Sequence, residues 1–346
     1  MLFKATFEKQ TFIFRNPSGT SRGVLTEKHA WFIALTLEEN LSLNYNPSIG
    51  ECSVISGLSP DFTDFDSYEK KLDEVCQNIN YYVEHLAELT AFPSILFGVE
   101  TALLDFKSKK QGILFDTPFS RGEVGIPING LIWMGSKEFM LQQIEEKLNA
   151  GFSCLKMKIG AIDFITELEI IASIREGYSE NEIELRVDAN GAFLATEALP
   201  KLEKLAKFGL HSIEQPIKAG QWEAMANLCA TTPLPIALDE ELIGVVGKAN
   251  RITLLESINP QYIILKPSLH GGINGATEWI TIANERGIPW WVTSALESNV
   301  GLNCIAQFTS TFDNSLPQGL GTGGLYENNT SSNLFIRKGF IWNNFT

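Results

Sequence analysis

The stretch CLKMKIG, residues 154–160, puts two lysines one residue apart in a segment otherwise suited to burial. Successive side chains of a β-strand point to opposite faces. Cys154, Lys156 and Lys158 therefore share one face, and Leu155, Met157 and Ile159 share the other. Two like charges aimed the same way repel each other and resist burial. The neighbouring segments show what lies on that side.

From about residue 121 the chain alternates strand and helix. The candidate strands are PINGLIW (127–133), CLKMKI (154–159), ELRVDA (184–189), SIEQP (212–216), PIALDE (235–240), YIILKP (262–267), PWWVTSALE (289–297) and LPQGLGT (316–322). Helical stretches such as SKEFMLQQIEEKLNAG and TEALPKLEKLAKFG lie between them, both ending at glycine. This pattern predicts an α/β fold, a modified (β/α)8 TIM-type barrel over residues 121–325. An open doubly wound sheet is the other reading, but no Gly-rich first turn supports it. The GxGxxG match at Gly319, Gly321 and Gly324 is followed by too little chain for a dinucleotide-binding unit. It reads as a tight backbone loop at the last strand end.

Residues 1–120 form a separate α+β domain in this reading, with a linker near TPFSRGEVGIP (117–127) and a C-terminal segment at 326–346. Strands TFIF and AWFIALTL flank the turn-rich loop NPSGTSRGVLTEK. One helix is predicted over SYEKKLDEVCQNINYYVEHLAEL, with Tyr68, Leu72, Val75, Ile79, Tyr82 and Leu86 on one stripe. A second helix is expected from Ser94, after Pro93.

The 346 residues are 44% hydrophobic and 20% charged, enough for a core without disulfides. Five scattered cysteines with no CxxC pair fit reduced thiols in a cytoplasm and argue against a thiolate metal site. The alternating MLFKATFEKQTFIF reads as a strand, not a signal peptide, and no segment has the length of a membrane span. A net charge of −14 disfavours nucleic acid and anionic membrane as partners. No oligomeric state is legible.

Lys158, Asp188, Glu214, Asp239 and Lys266 each close a candidate strand, at spacings of 30, 26, 25 and 27 residues. One β/α unit takes roughly 31 residues, so each charge follows the last by about one unit and all face a common mouth. The alternation agrees at each strand: Asp188 shares a face with Arg186 and Asn190, Asp239 lies opposite Leu238, and Lys266 opposite Leu265. Three carboxylates on adjacent strands form the hard-oxygen set that Mg²⁺ prefers. Lysines crowded beside one another lower each other's pKa, which makes a neutral amine available as a base. Salt-bridged carboxylates and snorkelling lysines are the bland alternatives.

These residues resemble the enolase superfamily, in its muconate-lactonizing subgroup: Lys-x-Lys at 156–158, DAN at 188–190, IEQP at 213–216, LDE at 238–240 and LKP at 265–267 follow its pattern in order. The resemblance extends over the whole chain, and makes the N-terminal domain a cap whose loops close over the barrel mouth. It implies that Asp188, Glu214 and Asp239 bind Mg²⁺, with Mn²⁺ as a substitute, and that Asn190 and Glu240 support that shell. Lys158 would remove a proton α to a carboxylate, Lys156 would tune it, and Lys266 would stabilise the resulting anion. Ser294, Gly321 and the capping-loop Arg22 are the expected contacts to a small-molecule carboxylate substrate. NPSGTSRGVLTEK, SALESNVG and GLGTGG point within the subgroup to a dehydratase that aromatises a hydroxylated cyclohexadiene. Racemisation of an N-acylamino acid, epimerisation of a dipeptide and a non-catalytic barrel are the alternatives. Dipeptide epimerases of the family carry Asp-x-Asp at the eighth strand, and sugar-acid dehydratases a His at the seventh. Neither is present here. The histidines His29, His85, His211 and His270 follow no ligand spacing.

Overall fold

The computed structural model describes residues 1–20, 23–40, 46–108 and 112–344. Its N-terminal part opens with two long strands, β1 (Phe3–Thr20) and β2 (Gly23–Leu37), followed by β3 (Ser48–Ser53), in an antiparallel sheet of order β1-β2-β3. Alternation in AWFIALTL turns Trp31, Ile33 and Leu35 onto the helices α1 (Phe65–Gln77) and α3 (Pro93–Lys107), forming one buried core with Tyr68, Leu72, Val75, Ile95 and Val99. Gly50 and Gly98 allow β3 to lie directly on α3, since a Cβ on Gly50 would overlap the Gly98 carbonyl oxygen.

The single helix expected over residues 67–89 is interrupted. α1 ends at Gln77, and a short α2 (Ile79–Tyr82) and a 3-10 turn (Leu86–Leu89) follow. Asn78 causes the break. Both its backbone N–H and its side-chain amide donate to the Glu74 carbonyl, at 3.1 and 2.9 Å, and its φ of −111° takes the chain out of the helix. The apolar stripe continues across the break because Ile79 and Tyr82 still reach the core. The second helix begins as expected, with Pro93 at its first turn.

A two-residue strand β4 (Ile126–Pro127) leads into the barrel. Its strands and helices alternate as β5 (Gly130–Ile132), α4 (Lys137–Asn149), β6 (Cys154–Lys158), α5 (Phe164–Gly177), β7 (Glu184–Asp188), α6 (Ala195–Ala206), β8 (Ser212–Glu214), α7 (Trp222–Thr231), β9 (Ile236–Leu238), α8 (Lys248–Ile258), β10 (Tyr262–Leu265), α9 (Gly272–Glu285), β11 (Trp290–Val292) and α10 (Asn299–Thr309). β5 to β11 form a seven-stranded parallel sheet in sequence order. Gln318 and Gly319 close it, bridging in parallel to Ile128 on one side and Thr293 on the other. The closed sheet has Leu155, Met157, Leu185, Val187, Leu238 and Leu265 facing the helices and Ala237, Ile264 and Trp291 facing inward. Of the WW pair, Trp290 packs outward on Phe312, whereas Trp291 lies inside under the Arg186 guanidinium at 4.2 Å.

The chain then returns to the first domain. Arg15 N donates to Leu325 O and Glu327 N to Ile13 O, while Tyr326 packs between Phe12 and Phe14. The hairpin β12 (Leu334–Arg337) and β13 (Phe340–Asn343) pairs with β4. No helix among the described residues is long and apolar enough to cross a membrane.

Candidate active site

The register of adjacent strands assembles the site. Lys158 is the cross-strand partner of Asp188, and Asp188 of Glu214, so three strand ends meet in line. Asp239 follows the end of β9 and Lys266 the end of β10. All six ionisable groups predicted for the site, the three carboxylates with Lys156, Lys158 and Lys266, are buried. Burial of so many charges is tolerable only because they neutralise one another. Lys156 Nζ bridges Glu214 and Asp188, the latter at 2.8 Å; Lys158 Nζ bonds Asp188 Oδ2 at 2.6 Å; Lys266 Nζ bonds Asp239 Oδ2.

These contacts separate the three lysines. Burial works against every ammonium here. Asp188 and Glu214 outweigh it at Lys156, and Asp239 and Glu214 outweigh it at Lys266, so both are raised above the ordinary lysine range. At Lys158 burial prevails, and the neighbouring Lys156 and Lys266 add to it, so its pKa is lowered. Lys158 is thus the amine most readily made neutral, flanked by two persistent cations. The carboxylates also divide. Burial is outweighed by Lys156 and Lys158 at Asp188, which is held well below the usual range. Glu214 is pushed well up by burial and by its neighbours Asp188 and Asp239.

Two oxygens of this set, Glu214 Oε1 and Asp239 Oδ1, are buried without a hydrogen-bond partner. As placed, no group of three His, Cys, Asp or Glu side chains among the described residues encloses an ion-sized site, and each of the three carboxylates is ion-paired with a lysine. The all-oxygen donor set and the two unpartnered oxygens nonetheless fit a hard divalent cation. Asn190 ties the set to its surroundings: its Oδ1 accepts from Lys158 Nζ at 2.8 Å, its N–H bonds Asp188 Oδ1, and its Nδ2 donates to Glu240 Oε1 at 2.9 Å. Gln215, quoted in the IEQP motif but given no role, accepts from the N–H groups of Asp239 and Glu241 and so orients the next strand end.

Lys156, Lys158 and Lys266 reach the wall of a cavity of about 380 Å³ between barrel and cap. Ser294 and Gly321 line it, as do Leu131, Trp133 and Leu296 of the barrel side and Val24, Leu25, Ile55 and Leu58 of the cap. Among the described residues, no acidic one is in its lining. Ser294 donates to Glu297 Oε2 at 2.6 Å and has no imidazole partner of the kind a nucleophilic serine needs. His270 uses Nδ1 to accept from the Lys266 backbone N–H, a structural role. Arg22 lies outside the described residues. The cap residues Lys28 and Glu51 are absent from the predicted site, although Lys28 alternates onto the same face as the buried Ala30, a signal available in TEKHAWF.

A closed parallel β/α barrel under an α+β cap, with acidic and basic groups gathered at the mouth, is the architecture of a capped-barrel enzyme. A family model described as Enolase C-terminal domain-like matches residues 140–342. An o-succinylbenzoate synthase from Desulfotalea psychrophila is 45% identical over 97% of this chain and 98% of its own length. The crystal structure of MenC from that organism superposes with a TM-score of 0.85 at 42% identity, covering 98% of this chain and 99% of that one. A dipeptide epimerase from Enterococcus faecalis, crystallised with Mg and L-Leu-L-Tyr, shares the fold at a TM-score of 0.84 and 18% identity, over 99% and 97% of the two chains. The chain belongs to the enolase superfamily.

Proposed function

We propose that the protein is an o-succinylbenzoate synthase, dehydrating 2-succinyl-6-hydroxy-2,4-cyclohexadiene-1-carboxylate to 2-succinylbenzoate in menaquinone biosynthesis. One observation carries this reading. Lys158 and Lys266 come from strands on opposite sides of the three acid-bearing strands, and both reach one largely apolar cavity. The near-full-length similarity to a synthase of this activity supports it.

Lys158, with its lowered pKa, takes the proton α to the ring carboxylate. Charge then develops on the carboxylate oxygens, where the persistent ammonium of Lys266 stabilises it. Mg²⁺, or Mn²⁺ in its place, held by Asp188, Glu214 and Asp239, would supply Lewis-acid stabilisation of the same charge. Lys158, now protonated, would help the ring hydroxyl leave as water from the face that lost the proton, a syn elimination that ends in an aromatic ring. Asn190 holds Lys158 in place, and Lys156 keeps it from being the most basic amine. Apolar walls such as Leu131, Trp133, Ile55 and Leu58 accommodate the carbocycle. Five buried free thiols agree with a cytoplasmic setting.

The same opposed lysines also favour a second reading, racemisation of an N-succinylamino acid by proton removal on one face and return on the other. Dipeptide epimerisation fits less well, since the described residues that line the cavity offer no carboxylate to a substrate's ammonium group. The deciding experiment follows loss of the diene absorbance with and without Mg²⁺, and deuterium exchange into N-succinylamino acids in parallel. Metal-dependent diene loss supports the dehydratase; exchange without diene loss transfers the assignment to the racemase.

A further inference from the structure

One wall of the cavity is held in a strained shape from outside the barrel. Leu296 has a φ of 62°, in the left-handed region that a bulky side chain rarely adopts. Leu296 lines the cavity beside Ser294 and Ala295 and packs against Phe12, Phe14, Ala30 and Tyr326 on its other side. Its carbonyl oxygen accepts two hydrogen bonds, from Lys28 Nζ at 2.7 Å and from Tyr326 Oη at 2.6 Å. Neither donor belongs to the barrel. Lys28 lies on β2 of the cap, and Tyr326 on the segment that returns to the cap after the barrel closes.

Lys28 is 5% exposed and Tyr326 1% exposed. An ammonium in that position is costly unless its charge is matched. Burial lowers the Lys28 pKa, and the buried Glu297 on the wall loop and Glu51 on β3 offset part of that cost by favouring the charged form. A further bond to Ser53 Oγ aims the ammonium head. Glu51 fastens the far end of the same loop, accepting from Ser298 N at 2.8 Å, Ser298 Oγ at 2.6 Å and Gly301 N at 2.8 Å. Glu297 fastens its near end through Ser294 and Ser268. No step of the proposed reaction uses Lys28, and simple packing at this position would be served by an apolar side chain.

We infer that Lys28 is a positioning residue: from the cap it grips the Leu296 carbonyl and so sets the wall, Ser294 to Leu296, against which the part of the substrate remote from the reacting carbon rests. The inference rests on the proposed function only for the choice of substrate. Lys28→Met keeps the length of the stem beneath the ammonium and removes the grip. We expect KM for the cyclohexadiene carboxylate to rise by up to about tenfold, the ceiling being the worth of the one charge-assisted hydrogen bond that holds the wall. kcat should fall by less than about threefold, with Mg²⁺ affinity by calorimetry unchanged, because Lys28 touches none of the site carboxylates. Tyr326→Phe, which removes the second, uncharged donor, should raise KM in the same direction by a smaller factor.

A folded Lys28→Met protein with parental KM overturns the inference, as does a joint loss of kcat and Mg²⁺ affinity, the signature of general disruption. If Lys28→Met does not fold, Tyr326→Phe decides alone, and an unchanged KM refutes the grip. A crystal structure of either variant tests the same point without any substrate: release of Leu296 to negative φ supports the inference, and retention of the left-handed conformation overturns it. Should the parent not turn over the diene, the functional reading fails while this structural comparison still decides the role of Lys28.

Discussion

At the scale of single residues, the site sorts three lysines by their neighbours. Lys156 and Lys266 are each paired with carboxylates that outweigh burial, and Lys158 is not. Lys158→Ala should therefore lower kcat by about 10³-fold or more, the upper range of general-base contributions, with Mg²⁺ binding retained in calorimetry. Substantial turnover by that variant would remove Lys158 as the base. Asp239→Asn should weaken Mg²⁺ binding at least tenfold, about 1.4 kcal/mol, since a buried carboxylate oxygen without a partner is converted to a poorer donor. Calorimetric titration with Mg²⁺ alone checks this, and parental affinity would exclude Asp239 from the ligand set. Residue placement was legible where it follows strand alternation, as for Lys158, Asp188 and Lys266. The role of Lys28 was not legible, because its partner Leu296 is 268 residues away and a strand pattern carries no information about what another domain presents.

At the scale of elements, α3 joins cap to barrel. Every residue from Pro93 to Leu103 is buried, because one side packs on β3 and the other on α9. Glu100 sits in that joint and accepts from the first-turn N–H groups of Ile273 at 2.5 Å and Asn274 at 3.2 Å. Burial nonetheless raises its pKa to about 7 from an ordinary 4.5. The folded state therefore binds more protons than the unfolded state between those values. This group's contribution to stability is greatest below pH 4.5 and declines as pH rises toward 7. Glu100→Gln should abolish that slope, so that the parent loses up to about 3 kcal/mol relative to the variant between pH 4.5 and 8. Urea unfolding of both proteins at the two ends of that range measures it; a difference independent of pH would contradict the assignment. The start of α3 and both ends of α4 were legible, from Pro93, Ser136 and Gly151. The end of α1 was not, because Asn78 interrupts a stripe of apolar residues that continues unbroken in the sequence.

At the scale of the whole molecule, a dense cluster of buried charge sits at the mouth, and a bound divalent cation would relieve the repulsion among Asp188, Glu214 and Asp239. A ligand that binds only the folded state stabilises it by about 2.7 kcal/mol at a hundredfold excess over Kd. Saturating Mg²⁺ should accordingly raise Tm by several degrees, reversibly on chelation, with the rise lost in Asp239→Asn. A Tm indifferent to Mg²⁺ in scanning calorimetry would argue against the metal reading. The cavity is a joint product of both domains, with Val24, Leu25, Ile55 and Leu58 from the cap facing Trp133 and Leu296 from the barrel.

The sequence by itself determined the repeating unit and the faces of its strands. A period of two sorts inward from outward side chains, and a charge recurring once per β/α unit can only gather at one rim. What the tertiary structure alone decided is everything that depends on two distant segments meeting: closure of the barrel through Gln318 and Gly319, the ammonium of Lys156 bridging two carboxylates, and the cap's grip on Leu296. Those contacts are set by three-dimensional packing, and their energies depend on burial, which no local pattern of residues specifies.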